Sequence, residues 1–237
     1  MSLIWERDPY RSKRQGLSVE RIVDASVAIA DAEGLDALSM RRVAAELSTG
    51  TTSLYRYVES RDDLLDLMAD AVHDDHAPLT GDWRADLEAY AHHERELWLR
   101  HPWLAPLLAT RPLLGPNWLR GLEHALTAAA PLTSDIADAS SAVGLIRDYV
   151  RGAVMRELAE KETQRRTGQT EDQWRAVVAP YMRKVIESGA YPQVSRMTES
   201  ADPSPVEQFS YGLRRILTGI ADTRQTTKSR VPVSRAR

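Results

Sequence analysis

Apolar residues recur at intervals of three and four through most of the chain, a spacing that predicts amphipathic helices. The first helix is predicted to begin after Ser18, a residue type that caps helix N-termini. It ends before Gly34, which tolerates the left-handed backbone often found after a helix. Its predicted buried stripe consists of Ile22, Val23, Ser26, Val27 and Ala30.

Two shorter helical segments follow closely. Ser39 caps the first of them, over 40–47, and the next spans about 51–57. Between them lies a tight turn in which Gly50 is the residue suited to an unusual φ. Ser60 and Asp63 then form a capping box that opens a fourth helix over 64–73. Helix, short turn and helix is the helix-turn-helix arrangement, whose second helix lies in the DNA major groove.

The remaining chain is predicted to be helical as well, with prolines and glycines between the helices. The predicted helices are 83–100, 117–130, 135–166, 171–188 and 205–222. Between 98 and 118 the chain is rich in tryptophan, leucine and proline, and its prolines prevent one straight helix. No strand-like alternation stands out, so the predicted fold class is all-α.

The sequence LYRYV at 54–58, followed by a basic residue and by DDLLDLM at 62–68, resembles the tetracycline-repressor (TetR) family of bacterial transcription regulators. An alanine-rich second helix before it fits the same pattern. The resemblance implies an N-terminal three-helix helix-turn-helix domain and a helical C-terminal domain for ligand binding and dimerisation. It further implies a homodimer that represses transcription at a palindromic DNA operator and leaves it when a small-molecule effector binds.

Composition and resemblance together predict four segments. These are a flexible basic arm over 1–16, the helix-turn-helix DNA-binding domain over 17–75, the helical effector-binding and dimerisation domain over 76–222, and a disordered basic tail over 223–237. The net charge is only −3, but residues 37–58 hold three arginines and one acid, whereas residues 62–96 hold eleven acids and two arginines. Because the charges are segregated, one face can bind phosphate while the rest repels it.

In the family pattern the exposed positions of the short helix contact DNA. The corresponding residues here are Thr51, Thr52, Ser53, Tyr55, Arg56 and Tyr57. Arg41 and Arg61 resemble positions that hold the DNA backbone. Arg56 can bind either a guanine edge or a phosphate, and a tyrosine hydroxyl can donate to a phosphate oxygen. The alternative for Tyr55 and Tyr57 is that they pack the small domain, while Leu54 is expected to point inward.

A cavity is expected where prolines interrupt the apolar segment. Its candidate lining residues are Trp98, Trp103, Leu107, Leu108, Trp118 and Leu122, with Asp148 and Arg151 as polar members. Thr110-Arg111-Pro112 resembles the tetracycline-repressor C-terminal domain, but Leu107 aligns with the histidine that coordinates a metal there. Because leucine cannot ligate a metal, we expect no metal, no cofactor and an apolar or aromatic effector.

The long helix over 135–166 and the last helix carry small and apolar residues on more than one face, so each must bury more than one side. In the family such helices form a four-helix bundle between two subunits. The residues expected to serve this packing are Ala139, Ser140, Val143, Gly144, Phe209, Gly212, Leu213, Ile216, Gly219 and Ile220.

Other classes of protein are weighed against this interpretation. The chain has no cysteine and no apolar run that could span a membrane, which favours a cytoplasmic protein without a membrane partner. His73 and His76 have helical metal-site spacing, but their acidic neighbours predict a solvated surface. Because no phosphate loop or nucleophile motif is present, we do not expect an enzyme. A dimeric small-molecule-binding or protein-docking module without sequence-specific DNA binding remains the alternative.

Overall fold

The computed structural model describes residues 4–6, 17–73, 76–108, 113–198 and 203–228, with the side chains of the last helix described through residue 222. Helices form all of the regular secondary structure in these ranges, so the all-α prediction is confirmed. Apart from a short 3₁₀ turn at Ile4–Glu6, the predicted arm over 1–16 lies outside the described residues, and so does Thr110-Arg111-Pro112.

A small N-terminal domain contains four helices. They are α1 (Val19–Glu33), α2 (Met40–Glu46), α3 (Thr51–Leu54) and α4 (Arg61–Ala71). Three of them begin as predicted at a serine, because the hydroxyl oxygens of Ser18, Ser39 and Ser60 accept the backbone N–H three residues ahead at 3.3, 3.1 and 3.0 Å. The core of this domain includes completely buried Ile22, Val43, Leu54, Val58, Leu64 and Met68.

The turn between α2 and α3 differs from its prediction. Ser48, not Gly50, has the left-handed backbone, with φ of 51°, whereas the φ of Gly50 is −85°. Thr49 N–H donates to Ala44 O at 2.9 Å and Ser48 N–H to Ala45 O at 3.1 Å, which is the Schellman pattern that ends a helix. That pattern needs its left-handed residue one position after the helix cap, and serine occupies this position.

Two boundaries in the small domain also shift. The α-helical part of α3 ends at Leu54, and a turn rather than a helix carries the chain through 55–57. Helix α4 begins at Arg61, directly after its cap Ser60, rather than at Leu64, and ends at Ala71.

The larger domain contains seven helices in its described ranges. They are α5 (Trp83–Arg100), α6 (Leu104–Leu108), α7 (Pro116–Ala129), α8 (Ile136–Thr167), α9 (Glu171–Glu187), α10 (Pro192–Thr198) and α11 (Pro205–Lys228). Helix α5 packs on α7, α8 and α11, and α4 of the small domain packs on α1 and α7. The sequence did not predict α6 or α10, and α11 continues beyond its expected end at Asp222 into the predicted tail.

Helices α8 and α11 use part of their apolar surface inside the chain. Ala139, Val143, Phe209 and Leu213 were predicted to serve packing between subunits, but they are buried in this chain's own core. Residues at other positions of the two helices are apolar and exposed, namely Leu145, Met155, Val206 and Tyr211. The prediction is therefore wrong for these four residues, which pack inside the chain, and packing of the two helices between subunits stays a prediction.

Helices α9 and α10 pack against each other and bury none of their residues. Their exposed large apolar side chains are Trp174, Val177, Tyr181, Ile186, Tyr191, Val194 and Met197. Within the described ranges, no helix combines the length and the apolar character needed to cross a bilayer.

Candidate nucleic-acid interface and effector domain

The surface of α3 and the turn after it forms the candidate DNA interface. The residues that are exposed or half-buried there are Thr51, Thr52, Ser53, Tyr55 and Arg56. Tyr55 keeps 50% of its surface accessible, whereas neighbouring Leu54 is completely buried in the small-domain core. One buried side chain thus anchors a short element whose remaining side chains face outward.

The two tyrosines of this segment have different environments. Tyr57 is half-buried and packs against the small-domain core, while Tyr55 projects into solvent. Of the two alternatives drawn from the sequence, packing therefore describes Tyr57. Tyr55 remains available for contact with a partner.

Arg61 is exposed but is also tied to the small domain. Its guanidinium donates from Nη2 to Leu35 O at 3.1 Å and from Nε to Leu38 O at 3.4 Å. These two carbonyls belong to the connection between α1 and α2. Arg61 therefore braces this connection, in addition to any contact with a DNA backbone.

The two arginines that open α2 are used differently. Arg42 forms ion pairs of 2.7 Å with Glu33 of α1 and 2.7 Å with Glu46 of its own helix. Hydrogen bonds to Glu33 and Glu46 raise the pKa of Arg42 above its usual value. Arg41, the residue predicted to hold DNA, is exposed. Arg42 thus joins α2 to α1, whereas Arg41 stays on the surface.

A polar bridge joins α1 to the larger domain. Asp31 of α1 accepts the Trp103 Nε1–H at 2.7 Å and contacts His101 Nδ1 at 2.9 Å. Trp103 was predicted to line an effector cavity; in the structure it is buried and its indole N–H is directed to the small domain. Sequence reasoning missed Asp31, since nothing local marks a contact with residues 70 positions away.

A second bridge joins α4, the last helix of the small domain, to α7. The carboxylate of Asp70, in the last turn of α4, accepts the backbone N–H of Trp118 at 2.9 Å and that of Asn117 at 3.3 Å. Both amides belong to the first turn of α7. Two carboxylates therefore attach the small domain to the larger one. Asp31 lies near the C-terminal end of α1, and Asp70 lies near the C-terminal end of α4.

The other predicted cavity residues do not form one set. Trp98 is only 1% exposed and belongs to the core, whereas Leu107, Leu108, Trp118 and Leu122 are half-buried against it. Asp148 and Arg151 form an ion pair on α8 in which the Asp148 side chain is 68% exposed. This pair is a surface feature because one helical turn places both residues on the outer side of α8. Arg147, which the sequence analysis did not select, lies over the Trp118 ring at 5.1 Å from its centroid.

A small cavity of about 160 Å³ lies between the connection 76–80, α5 and α7. Its polar lining includes His76, His93, His124, Asp86 and Tyr90. The His76 ring centroid is 4.2 Å from that of His93 and 4.7 Å from that of His124. Burial lowers the pKa of His124, and His93 adds to this effect while Asp86 opposes it.

The predicted solvated surface at His73 and His76 is wrong. His73 is 6% exposed and its Nδ1 lies 2.6 Å from Ala69 O, while His76 packs against the rings of the small cavity. The His76 ring contacts Tyr90 and His93 of α5 and His124 of α7, whereas His73 contacts a carbonyl of α4. Among the described residues, no group of three or more histidine, aspartate or glutamate side chains is arranged to hold a metal ion.

A wider and more polar cavity of about 650 Å³ lies among α8, α9 and α11. Glu157 lines it and binds Arg95 of α5 through Nε at 3.0 Å and Nη2 at 2.7 Å. The Arg95 guanidinium also lies 5.2 Å from the Phe209 ring centroid, so a buried cation connects α5, α8 and α11. The sequence analysis did not identify Glu157.

Comparison with known families matches both domains. Residues 22–68 match the model described as bacterial regulatory proteins, tetR family. Residues 77–224 match the model described as tetracyclin repressor-like, C-terminal domain. The bridge from Asp31 joins residues of the two matched ranges, and Asp70 lies between the two ranges in sequence.

Individual proteins show the same similarity. The HTH-type transcriptional repressor DrrR1 of Streptomyces coeruleorubidus is 45% identical over 227 residues, which cover 93% of this chain and 84% of that protein. The crystal structure of apo ActR from Streptomyces coelicolor has a TM-score of 0.74 at 28% identity and covers 90% of this chain and 99% of ActR. ActR in complex with actinorhodin has a TM-score of 0.73 at 29% identity, with coverage of 88% and 98%.

Proposed function

Because this chain belongs to the tetR family of bacterial regulatory proteins, which are ligand-responsive DNA-binding transcription regulators, we propose that it is a cytoplasmic homodimeric repressor. In this proposal α3 of each subunit enters the major groove of a palindromic operator. A small, largely apolar or aromatic effector binds in the larger domain and releases the protein from DNA.

The observation that carries the DNA-binding proposal is the exposed surface of α3 within the part of the chain that matches the DNA-binding family model. Thr52, Tyr55 and Arg56 project from an element that Leu54 anchors in the core. Short hydroxyl side chains can approach phosphates closely, and an arginine can donate two parallel hydrogen bonds to guanine. This surface therefore offers both kinds of contact that an operator reader needs.

The homodimer is supported by the exposed apolar surface of α8 and α11. Leu145 and Met155 are 57% and 41% exposed, and Tyr211 of α11 is 54% exposed. A Cβ added at Gly144 or Gly152 would meet no atom within 4 Å, so another helix can approach α8 closely there. A twofold dimer places two reading helices in successive major grooves, and it therefore binds DNA more tightly than a single helix-turn-helix does.

Similarity to ActR supplies the first effector candidates. ActR has been crystallised in complex with actinorhodin and with (S)-DNPA, at 29% identity to this chain in both structures. We infer that a ligand of related chemistry binds this protein. Thermodynamic linkage then requires that operator DNA weakens ligand binding by the same factor by which the ligand weakens DNA binding.

The first test is selection of bound sequences from a pool of random or genomic DNA by the purified protein. We expect a palindrome whose half-sites are about one helical turn apart. Enrichment of no sequence at low salt, by a folded dimer, would contradict the repressor and favour a binding or docking module without sequence-specific DNA recognition. The salt dependence of DNA affinity separates the two further, because phosphate contacts in a specific complex give a steep slope.

The second test uses variants of the exposed α3 surface. Tyr55→Ala and Arg56→Ala should each weaken operator binding by about 1–3 kcal/mol while the dimer stays intact. Fluorescence anisotropy with the selected duplex measures the affinity, and analytical ultracentrifugation measures the assembly. The matched controls are Tyr181→Ala and Arg165→Ala, which remove exposed side chains of the same types from the larger domain. Unchanged affinity in both α3 variants would exclude this surface as the DNA interface.

A further inference from the structure

The N-terminus of α7 lacks a cap of its own. Gly115 occupies the N-cap position and has no side chain to accept a hydrogen bond, and Pro116 at the first helical position has no N–H. The amides of Asn117 and Trp118 are therefore the first donors of the helix, and amides at this position have no acceptor within their own helix. Their acceptor must come from elsewhere in the molecule.

Asp70 of the small domain supplies that acceptor. Its carboxylate accepts Trp118 N–H with Oδ1 at 2.9 Å and Asn117 N–H with Oδ2 at 3.3 Å, and the residue is only 4% exposed. A Cβ at position 115 would lie 2.1 Å from Asp70 Oδ1. The absence of a side chain at Gly115 is thus what makes room for the carboxylate.

A hydrogen bond also runs in the opposite direction. Asn117 Nδ2 donates to Asp70 O at 3.2 Å, a carbonyl in the last turn of α4 that also accepts the His73 N–H at 3.1 Å. Asp70 therefore caps the beginning of α7, while Asn117 adds a further hydrogen bond between the same two helices. Two helix ends from different domains are thus joined through both the side chain and the backbone of Asp70.

This joint connects the two domains to which the proposed function assigns DNA and the effector. Leu64 and Met68 of α4 are completely buried, and α4 packs on α1, so a movement of α4 displaces the small domain. Trp118 of α7 is half-buried and lies beneath Arg147 of α8, among the side chains expected to meet an effector. The same residue thus belongs to the effector domain through its ring and to the joint through its amide.

We propose that Asp70 is a positioning residue that couples the effector domain to the DNA-binding domain through its cap on α7. Displacement of the first turn of α7 by an effector moves α4 through this cap, and operator binding at α3 biases the cap in return. Reciprocity follows because both ligands act on one element with two arrangements. The inference rests on the proposed function, and it adds the residue that joins the two sites.

The test is hydrogen–deuterium exchange of the full-length dimer with and without the selected operator duplex. The wild-type protein should show protection of α3 by the operator and an accompanying change in exchange at Asn117 and Trp118. Asp70→Asn keeps the shape of the side chain but removes its charge. In this variant we expect exchange of the Trp118 amide in the free protein to become about tenfold faster. Protection of α3 should persist, but the response of α7 to the operator should be lost.

The matched control is Glu123→Gln, which neutralises an exposed carboxylate on α7 itself and should leave the response unchanged. If Asp70→Asn does not fold, Asn117→Ala removes the bond to the Asp70 carbonyl, together with an exposed hydrogen bond from Arg120, and should reduce the response in a folded protein. Two outcomes would overturn the coupling role. In the first, the response of α7 to the operator persists at its wild-type size in the Asp70 or Asn117 variant. In the second, the operator protects α3 of the wild-type protein but does not change exchange in α7. Absence of α3 protection in the wild type would instead remove the proposed function and the coupling with it.

Discussion

The two domains differ in where one of their helix caps comes from. In the small domain, Ser18, Ser39 and Ser60 each cap the helix that follows them in sequence. In the larger domain, Asp82, Asp135 and Thr170 do the same for α5, α8 and α9, but α7 is capped by Asp70, which comes from the other domain. The small domain is thus specified mainly by local sequence, whereas part of the larger domain depends on groups supplied from outside it.

The two domains also differ in how much apolar surface they expose. In the described part of the small domain, the large apolar side chains are buried or half-buried except for Tyr55, which lies at the proposed DNA interface. The larger domain exposes apolar residues along α8 and over the whole α9–α10 pair. Exposed apolar surface that forms a large patch usually marks an interaction site. The comparison indicates that the small domain buries more of its apolar side chains within one chain than the larger domain does.

The largest expected effect concerns the self-contained small domain. Leu54→Ala should destabilise it by about 2–5 kcal/mol, because Leu54 is completely buried and the substitution leaves a cavity. Urea unfolding followed by circular dichroism measures the loss. Leu119→Ala, at a side chain that is 46% exposed on α7, is the control and should change stability by less than about 0.5 kcal/mol. Equal effects of the two substitutions would contradict the assigned core.

A charge on the exposed face of α8 tests whether the larger domain is completed by a second copy. Leu145→Glu should raise the dimer dissociation constant about a hundredfold, because a buried unpaired carboxylate is strongly unfavourable at an apolar interface. Sedimentation velocity over a range of concentrations measures it. The same change at Leu119 of α7, away from the proposed face, should leave the dimer intact. A dimer unaffected by Leu145→Glu would place the interface elsewhere.

The two N-cap glycines give a direct comparison between the domains. Gly115→Ala should destabilise the protein by about 1–3 kcal/mol, because its Cβ would overlap the Asp70 carboxylate. Gly50→Ala at the cap of α3 should cost less than about 1 kcal/mol, because a Cβ there meets no atom within 4 Å. Thermal unfolding of both variants provides the measurement. A harmless Gly115→Ala would argue against the close approach of Asp70 to α7.

The smallest effect concerns the pH dependence of the larger domain. The pKa of folded His124 is lowered by burial, whereas in the unfolded chain it is near the ordinary value of about 6.5. Above that pH both states are neutral at this residue. As the pH falls below it, the unfolded chain binds a proton that the folded protein binds only at lower pH, so stability decreases.

Wild-type protein should therefore lose thermal stability between about pH 7 and about pH 5.5, and His124→Asn should lose less over this interval. Scanning calorimetry at both pH values checks the difference. Asp86 and His93 remain in the variant, so the residual dependence measures their contribution and that of other groups. An identical pH dependence of wild type and variant would contradict the assigned burial effect.

Sequence patterns predicted the structural features that depend on neighbouring residues in the chain. Serine caps, the short helix of the reading motif and the positive φ of Gly34, which is 83°, all depend on residues within a few positions. The left-handed Ser48 was missed because Gly50 was the expected residue for that conformation, although the helix-ending pattern requires it at position 48.

Contacts across the domain boundary were not predictable in the same way. Trp103 looked like a cavity residue because its neighbours are apolar, but its N–H is bound by Asp31. The segment Gly115-Pro116-Asn117 did carry a signal, since a helix that begins without a capping side chain needs an acceptor from outside. That signal shows that a partner is required but does not identify Asp70, because the pairing depends on how α4 packs on α7.

The cap that Asp70 of α4 provides for α7 bears on how such proteins can be recombined. A chimera that joins this reading domain to a foreign effector domain by cutting between α4 and α5 would separate Asp70 from its two amides. The buried carboxylate would lose its donors, and the new α7 would need a cap of its own. Functional exchange of domains therefore requires transplanting Asp70 and the segment at 115–118 together, as one unit that is discontinuous in the sequence.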